Sequence, residues 1–214
     1  MKYIDVSQAP ILEYSEEKEA IIEPSKINKP VELPEKALLC FFPDVLELLE
    51  KEGVLKVIYV HPTEMGPSPF YQCLYGQEKI TVVHPGCGAA YAAITMERLI
   101  AWGAKKIMAC GGAGVIAADW PVGALMVVEE AVRDEGTSYH YLPPQPEISL
   151  DPVGTEALVS AVKNFGYEYK RIKIWTTDGF YRETRERLNR RVAQGCQAVD
   201  MECAALAAVA RFRQ

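Results

Sequence analysis

The sequence predicts an α/β fold with a mainly parallel or mixed sheet covered by helices on both faces. Two observations carry this expectation: short β-rich runs recur at intervals too long for hairpins, and helical patterns fill several of those intervals. No internal repeat, low-complexity linker or shift in composition divides the chain, so residues 1–214 are expected to form one domain.

Taken in order, the β-rich runs are "LLCFF" (38–42), "LKVIYV" (55–60), "KITVVH" (79–84), "KKIMAC" (105–110), "LMVVEE" (125–130), "RIKIWT" (171–176) and "CQAVD" (196–200). The first interval holds "PDVLELLEKEG", which opens on Pro and closes on Gly as helices prefer, with Val45, Leu46, Leu48 and Leu49 as its apolar face. A longer helix follows in "GAAYAAITMERLIAWGA", where Tyr91, Ile94, Leu99 and Trp102 stand among small residues. In "GTEALVSAVKNFG", Ala157, Leu158, Ala161, Val162 and Phe165 fall on one helical face. The arginine-rich "DGFYRETRERLNRR" reads in its far half as a solvated helix, because Glu183 and Glu186 stand four residues before Arg187 and Arg190. The proline-rich "YLPPQPEISLDP" (141–152) reads as a loop.

A chain of 214 residues, 49% hydrophobic and 24% charged, fits a soluble globule with one sizeable core. Its 23 basic residues against 29 acidic ones leave a net charge of −6, which gives no electrostatic reason for nucleic acid or an anionic membrane as partner. A small metabolite fits better. No apolar run approaches the roughly 20 residues needed to span a bilayer, and the first twenty residues lack a signal-peptide core. The six cysteines show neither a CxxC pair nor a zinc-like spacing with histidine, so they read as buried, reduced thiols of a cytoplasmic protein.

Four stretches could carry chemistry. In "TVVHPGCGAAYAAI" a strand, a tight turn and a helix follow one another, and Gly86 and Gly88 let backbone N–H groups approach an anion closely. An ordinary βα turn explains the same pattern, and Cys87 near His84 offers a nucleophile on a strand-to-helix elbow as a further alternative. A second glycine turn, "KIMACGGAGVI", leaves space for a ligand at Gly111, Gly112 and Gly114. Two such turns on one sheet imply a shared crevice beyond the strand ends. Asp178, Phe180, Tyr181 and Arg182 follow another strand end and offer an aromatic surface with polar groups. Finally, "AVDMECAALAAVA" places Asp200 and Glu202 where a strand gives way to an alanine-rich helix, a position that suits a carboxylate as a helix cap.

Together, "GCGAAYAAITMERLIAWGAKKIMACGGAG", "AVRDEGTSYHYLPP" and "TTDGFYRET...AVDMECAAL" resemble the nucleoside phosphorylase family, which includes uridine and purine nucleoside phosphorylases and nucleosidases. The likeness runs from about Gly86 to the carboxyl terminus, with the amino-terminal part up to about residue 30 divergent. It implies one α/β/α sandwich around a mixed central sheet and assembly as a homodimer or homohexamer; "HPTEMGPSPFY" and "YHYLPP" offer aromatic and proline-rich surface for the contacts.

The resemblance also implies roles. Glu202 would accept hydrogen bonds from ribose hydroxyls, and Met201 would pack against the ring or offer its backbone N–H. Phe180 would stack on the base with Tyr181 beside it, and Thr184 and Arg185 lie near the positions that bond its edge. Gly111 and Gly112 would border the substrate.

The family's Gly-Asp-Pro-x-Arg loop is replaced here by "IIEPSKI", and the arginine two residues before the central glycine turn by Ala109. Ser25, Lys26, Gly86 and Gly88 are left to hold phosphate, with Glu23 opposing them. Relatives continue past the helix that reaches Gln214, and the acid that protonates a leaving purine comes from that later segment. The expected function is phosphorolysis of a nucleoside to free base and ribose 1-phosphate, with inorganic phosphate as co-substrate and no metal or organic cofactor. The alternatives are a hydrolytic nucleosidase and a non-catalytic nucleoside-binding or storage protein.

Overall fold

The structure, a computed structural model, describes residues 9–27, 31–116 and 120–214. The start of the segment read for a signal peptide, residues 1–8, lies outside them. In their described residues the chain's two compact units are Met1–Lys18, Gly88–Ala93 and Ala113–Gln214 in one, and Glu19–Cys87 and Ile94–Gly112 in the other.

The second of these units carries a five-stranded sheet in the order β2-β3-β4-β1-β5. Its strands are β1 (Lys36–Cys40), β2 (Lys56–Thr63), β3 (Gly66–Tyr75), β4 (Glu78–Val83) and β5 (Lys106–Cys110). Strand β1 is parallel to both β4 and β5, while β2, β3 and β4 form an antiparallel meander. Short helix α1 (Pro24–Ile27) precedes the sheet, and α2 (Pro43–Lys51) follows β1 with Pro43 in its first turn. Adjacent residues of a strand face opposite ways. Tyr71 accordingly joins Leu46 of α2, Cys40, Leu55 and Val82 in one core, while Phe70 meets Trp102 on the other side at 5.3 Å between ring centroids. Trp102 follows α3 (Ala89–Ala101), the helix in which the boundary between units falls.

The other unit holds the sheet β6-β10-β9-β7-β8. Its strands are β6 (Gly114–Val115), β7 (Leu125–Asp134), β8 (Glu147–Ser149), β9 (Tyr169–Thr177) and β10 (Cys196–Asp200), with helices α4 (Pro152–Asn164), α5 (Arg185–Ala193) and α6 (Cys203–Arg213). The central strands β10, β9 and β7 are parallel, and the edge strands β6 and β8 are antiparallel to their neighbours. Ala131, Ile174 and Ala198 pack with Ala204 and Ala208 of α6, so the alanine richness of that helix permits a close seat on the sheet. Val132 and Trp175, on the opposite face, pack with Leu188 of α5. The α/β class and the cover on both faces are thus found, with the strands divided between two mixed sheets.

Several local expectations are corrected. Strand β3 is hidden in sequence by Pro67 and Pro69, which sit near its start and pair with Pro62 and Val60. That hairpin buries His61, Phe70 and Tyr71, so much of the aromatic part of "HPTEMGPSPFY" is core rather than contact surface. The loop at 141–152 contains β8. Helix α2 turns Leu46 inward and leaves Val45 and Leu48 exposed. Helix α4 begins at Pro152 under a cap from Asp151; it buries Thr155 and Val159 and leaves Phe165 exposed. Cys40 and Cys196 are buried, but Cys87 and Cys110 are exposed. Among the described residues no helix is long and apolar enough to cross a membrane, and no cluster of His, Cys, Asp and Glu could hold a metal ion.

Candidate active site

Parallel strands bring their carboxyl ends to one edge of a sheet, where ligands of open α/β sheets bind. In the sheet of β6 to β10 the register pairs Asp200 with Thr176 and Asp134 with Thr177. The segments that follow β10, β9 and β7 therefore emerge side by side: Met201–Glu202, Asp178–Arg182 and Glu135–Gly136.

The β10–α6 turn is held by a closed circuit of hydrogen bonds. Thr176 Oγ1 donates to Asp200 Oδ1 at 2.7 Å and accepts the Ala204 N–H at 3.0 Å. Asp200 Oδ2 accepts the N–H groups of Cys203 at 2.7 Å and Glu202 at 3.2 Å. Asp200 is thus the side chain that satisfies the open amides at the start of α6. Burial, opposed by these hydrogen bonds and reinforced by the neighbouring Glu202 charge, pushes the Asp200 carboxyl up to about 6. Burial also pushes the Cys203 thiol well above the usual range.

Glu202 occupies the N-cap position without capping with its side chain. Its Oε1 instead accepts the Gly88 N–H at 2.6 Å. Gly88 has φ +88, a conformation that favours glycine, and directly precedes α3. The structure therefore separates the two acids of "VDMEC": Asp200 serves the helix, and Glu202 is free of that duty. Met201 and Glu202 are both half-buried.

The aromatic segment after β9 is tied down on several sides. Asp178 Oδ2 accepts the Gly136 N–H at 2.8 Å, and Thr177 Oγ1 accepts that of Gly179 at 3.2 Å. Phe180–Arg182 forms a 3-10 turn in which Phe180 and Tyr181 pack edge to face, with centroids 5.0 Å apart. Both rings are exposed, Phe180 by 58% and Tyr181 by 93%, which leaves aromatic surface open to a planar partner. Thr184 Oγ1 accepts the Arg187 N–H at the start of α5, so its acceptor role goes to a helix cap, and Arg185 is exposed at the first position of that helix.

Near this segment Glu135 is buried at 5% exposure, with Oε2 accepting the Ser138 N–H at 2.9 Å and Oε1 without a partner among the described residues. Burial is the main cause that raises its pKa, and Asp178 adds to it.

In the other unit, β4 and β5 flank β1, so both expected glycine turns leave the same sheet edge. Gly86, at φ +85, donates its N–H to His84 Nδ1 at 3.1 Å. A Cβ at Gly111 would lie 3.0 Å from Phe41, and the space expected there for a ligand is filled by that ring. At Gly112 the nearest atom would be Phe42 at 3.9 Å, which leaves ordinary space. Gly114, in the unit of β6 to β10, is bare because Val199 would stand 2.9 Å from a Cβ there. Ser25 and Lys26 are exposed in α1, and Glu23, expected to oppose an anion, turns its Oε1 to the Ala20 N–H at 2.5 Å.

Two residues of this region escape a reading of residue types alone. Thr176 is one threonine of a pair at a strand end, and only the β9–β10 register shows that it faces Asp200. Glu135 differs little from the neighbouring acid Asp134 until burial separates them.

Residues 35–214 match the model of the phosphorylase superfamily. Guanosine phosphorylase of Halorubrum lacusprofundi is 31% identical over 137 residues, 64% of this chain and 57% of that protein. Uridine phosphorylase of Thermococcus kodakarensis is 34% identical over 102 residues, 48% of this chain and 37% of that protein. The chain thus spans little more than half the length of the first relative and less of the second. Among solved structures, uridine phosphorylase from Vibrio fischeri superimposes with a TM-score of 0.74 at 22% identity, over 90% of this chain and 76% of that one. AMP nucleosidase from Bacteroides thetaiotaomicron gives 0.73 at 24% identity, over 85% and 76%. These structural likenesses concern the fold. With a family model matched over residues 35–214, on a fold whose strand ends carry Glu202 and the aromatic turn, the chain belongs to the phosphorylase superfamily.

Proposed function

We propose that the protein cleaves the N-glycosidic bond of a ribonucleoside, with inorganic phosphate as acceptor and free base and ribose 1-phosphate as products. The observation that carries the reading is Glu202: a carboxylate that leads α6 without capping it and is held at 2.6 Å by the backbone amide of Gly88. Such a group suits the two adjacent hydroxyls of a ribose, because a carboxylate accepts two donors well. Phe180 and Tyr181 would provide the surface for the base. In the reaction an oxygen of hydrogen phosphate bonds to the anomeric carbon as the bond to the base nitrogen breaks, and the proton that the phosphate gives up ends on that nitrogen. Holding both reactants in line supplies rate, and the negative charges on both sides stabilise an oxocarbenium-like sugar. The relatives named guanosine and uridine phosphorylase support phosphate as the acceptor.

A second reading, hydrolysis with water as acceptor, has its own support. Ala109 stands where the family carries an arginine, and the amides of Gly86 and Gly88 are donated to His84 and Glu202 rather than left open. Incubation with uridine, inosine, guanosine and adenosine, with and without phosphate, followed by chromatography, separates the readings. Base release that saturates with phosphate and yields ribose 1-phosphate is expected. Free ribose as the sole sugar product would replace phosphorolysis by hydrolysis, and affinity without any base release would leave a binding or storage protein.

A further inference from the structure

We propose that Asp200 and Thr176 are positioning residues for Glu202, fixing the β10–α6 turn so that the Glu202 carboxylate points away from the helix it leads. The inference rests on the sugar-holding role of Glu202. Its basis is the circuit itself: one hydroxyl and one carboxylate satisfy three consecutive amides, those of Glu202, Cys203 and Ala204. Thr176 is fully buried, and its hydroxyl both donates to Asp200 and accepts from Ala204. Only an acceptor on Asp200 closes that circuit. An asparagine whose oxygen took the two amides would turn its NH2 toward Thr176, giving that hydroxyl two donors and stranding its own proton.

A role confined to helix capping does not need the charge. Asparagine caps helices as well as aspartate does, and the ionised Asp200 is disfavoured by its burial and by Glu202, the charged group that faces it from the same turn; the other titratable neighbour, the Cys203 thiol, carries no charge at neutral pH. With Glu202 left uncapped and turned to Gly88, the circuit directs the turn while the functional carboxylate stays available. Without the circuit Glu202 would become the nearest acid for the open amides of α6, and its carboxylate would fold back onto the helix.

The test compares wild type, Asp200→Asn, Thr176→Val, Thr176→Ser and Glu202→Ala in the full chain. Uridine, inosine and guanosine are titrated by calorimetry from pH 5 to 8, and urea unfolding is followed in parallel. Losing one of these hydrogen bonds should weaken nucleoside binding about ten-fold in Asp200→Asn and Thr176→Val, with Thr176→Ser restoring it. Wild-type affinity should fall below about pH 6, where Asp200 takes up its proton, and Asp200→Asn should lack that fall. The Thr176 pair keeps the test decisive if Asp200→Asn does not fold. If Thr176→Val and Asp200→Asn bind like wild type while Glu202→Ala does not, the positioning role is overturned and the sugar role stands. If Glu202→Ala binds like wild type, or wild type binds none of the three nucleosides, the sugar role falls and the positioning role with it.

Discussion

At the scale of single residues, Asp200 and Glu202 show how two acids two positions apart acquire separate duties. Asp200 has a raised pKa, so the folded protein binds that proton more tightly than the unfolded chain does. Its contribution to stability is therefore most favourable in acid and is lost as pH rises from the ordinary value of 3.8 towards about 6. The stability of Asp200→Asn relative to wild type should rise over that interval by no more than about 3 kcal/mol and then level off. Urea unfolding of both proteins at pH 4 and pH 7 checks this, and a difference that does not change with pH would contradict it. Glu202→Ala, which removes no cap, should cost about 1 kcal/mol or less through the lost Gly88 bond, and its melting temperature should stay close to wild type. The sequence made the two acids visible as helix-start residues. It could not apportion their roles, because that depends on Thr176 lying opposite Asp200 in the β9–β10 register.

At the scale of elements, the aromatic segment is held by its neighbours rather than by itself. Asp134, at the end of β7, accepts from Trp175 Nε1 at 2.8 Å, Arg187 at 2.6 Å and Arg191 at 3.2 Å, all through Oδ2. Arg187 also reaches the Arg182 carbonyl at 3.4 Å, so helix α5, the end of β7 and the turn of Phe180 and Tyr181 are joined at one guanidinium. Helical spacing assigned Arg187 to Glu183, whereas the structure gives it to Asp134 and keeps the expected pair only at Arg190 and Glu186, 2.9 Å apart. A partner on another element is invisible to an i,i+4 rule. Asp134→Ala leaves two arginines and an indole N–H without their shared acceptor and should destabilise the protein by about 2–4 kcal/mol. A fall in the urea midpoint of that variant is the expected result, and an unchanged midpoint would show the cluster to be dispensable. Strand periodicity fared better where no proline intervened: "CQAVD" is β10 residue for residue, while β3 was lost behind Pro67 and Pro69.

At the scale of the whole molecule, the alternation of strands and helices was enough for the α/β class, but not for the division of the strands between two sheets. That division follows from hydrogen bonding between segments far apart in the chain, such as β6 with β10. Homo-oligomer formation is proposed from the family resemblance, and light scattering at micromolar concentration should give a dimer or a hexamer; a monomer would count against it. The exposed apolar side chains of edge strand β2, Val57, Ile58 and Val60, are compatible with such contacts. The proposed function depends most directly on whether Glu202 holds a sugar. Calorimetric titration of the intact wild-type chain and of Glu202→Ala with guanosine, inosine and uridine measures it. Binding of at least one nucleoside by wild type, weakened more than ten-fold in the variant whose fold is unchanged, is the predicted result; equal affinity in the two proteins would contradict it.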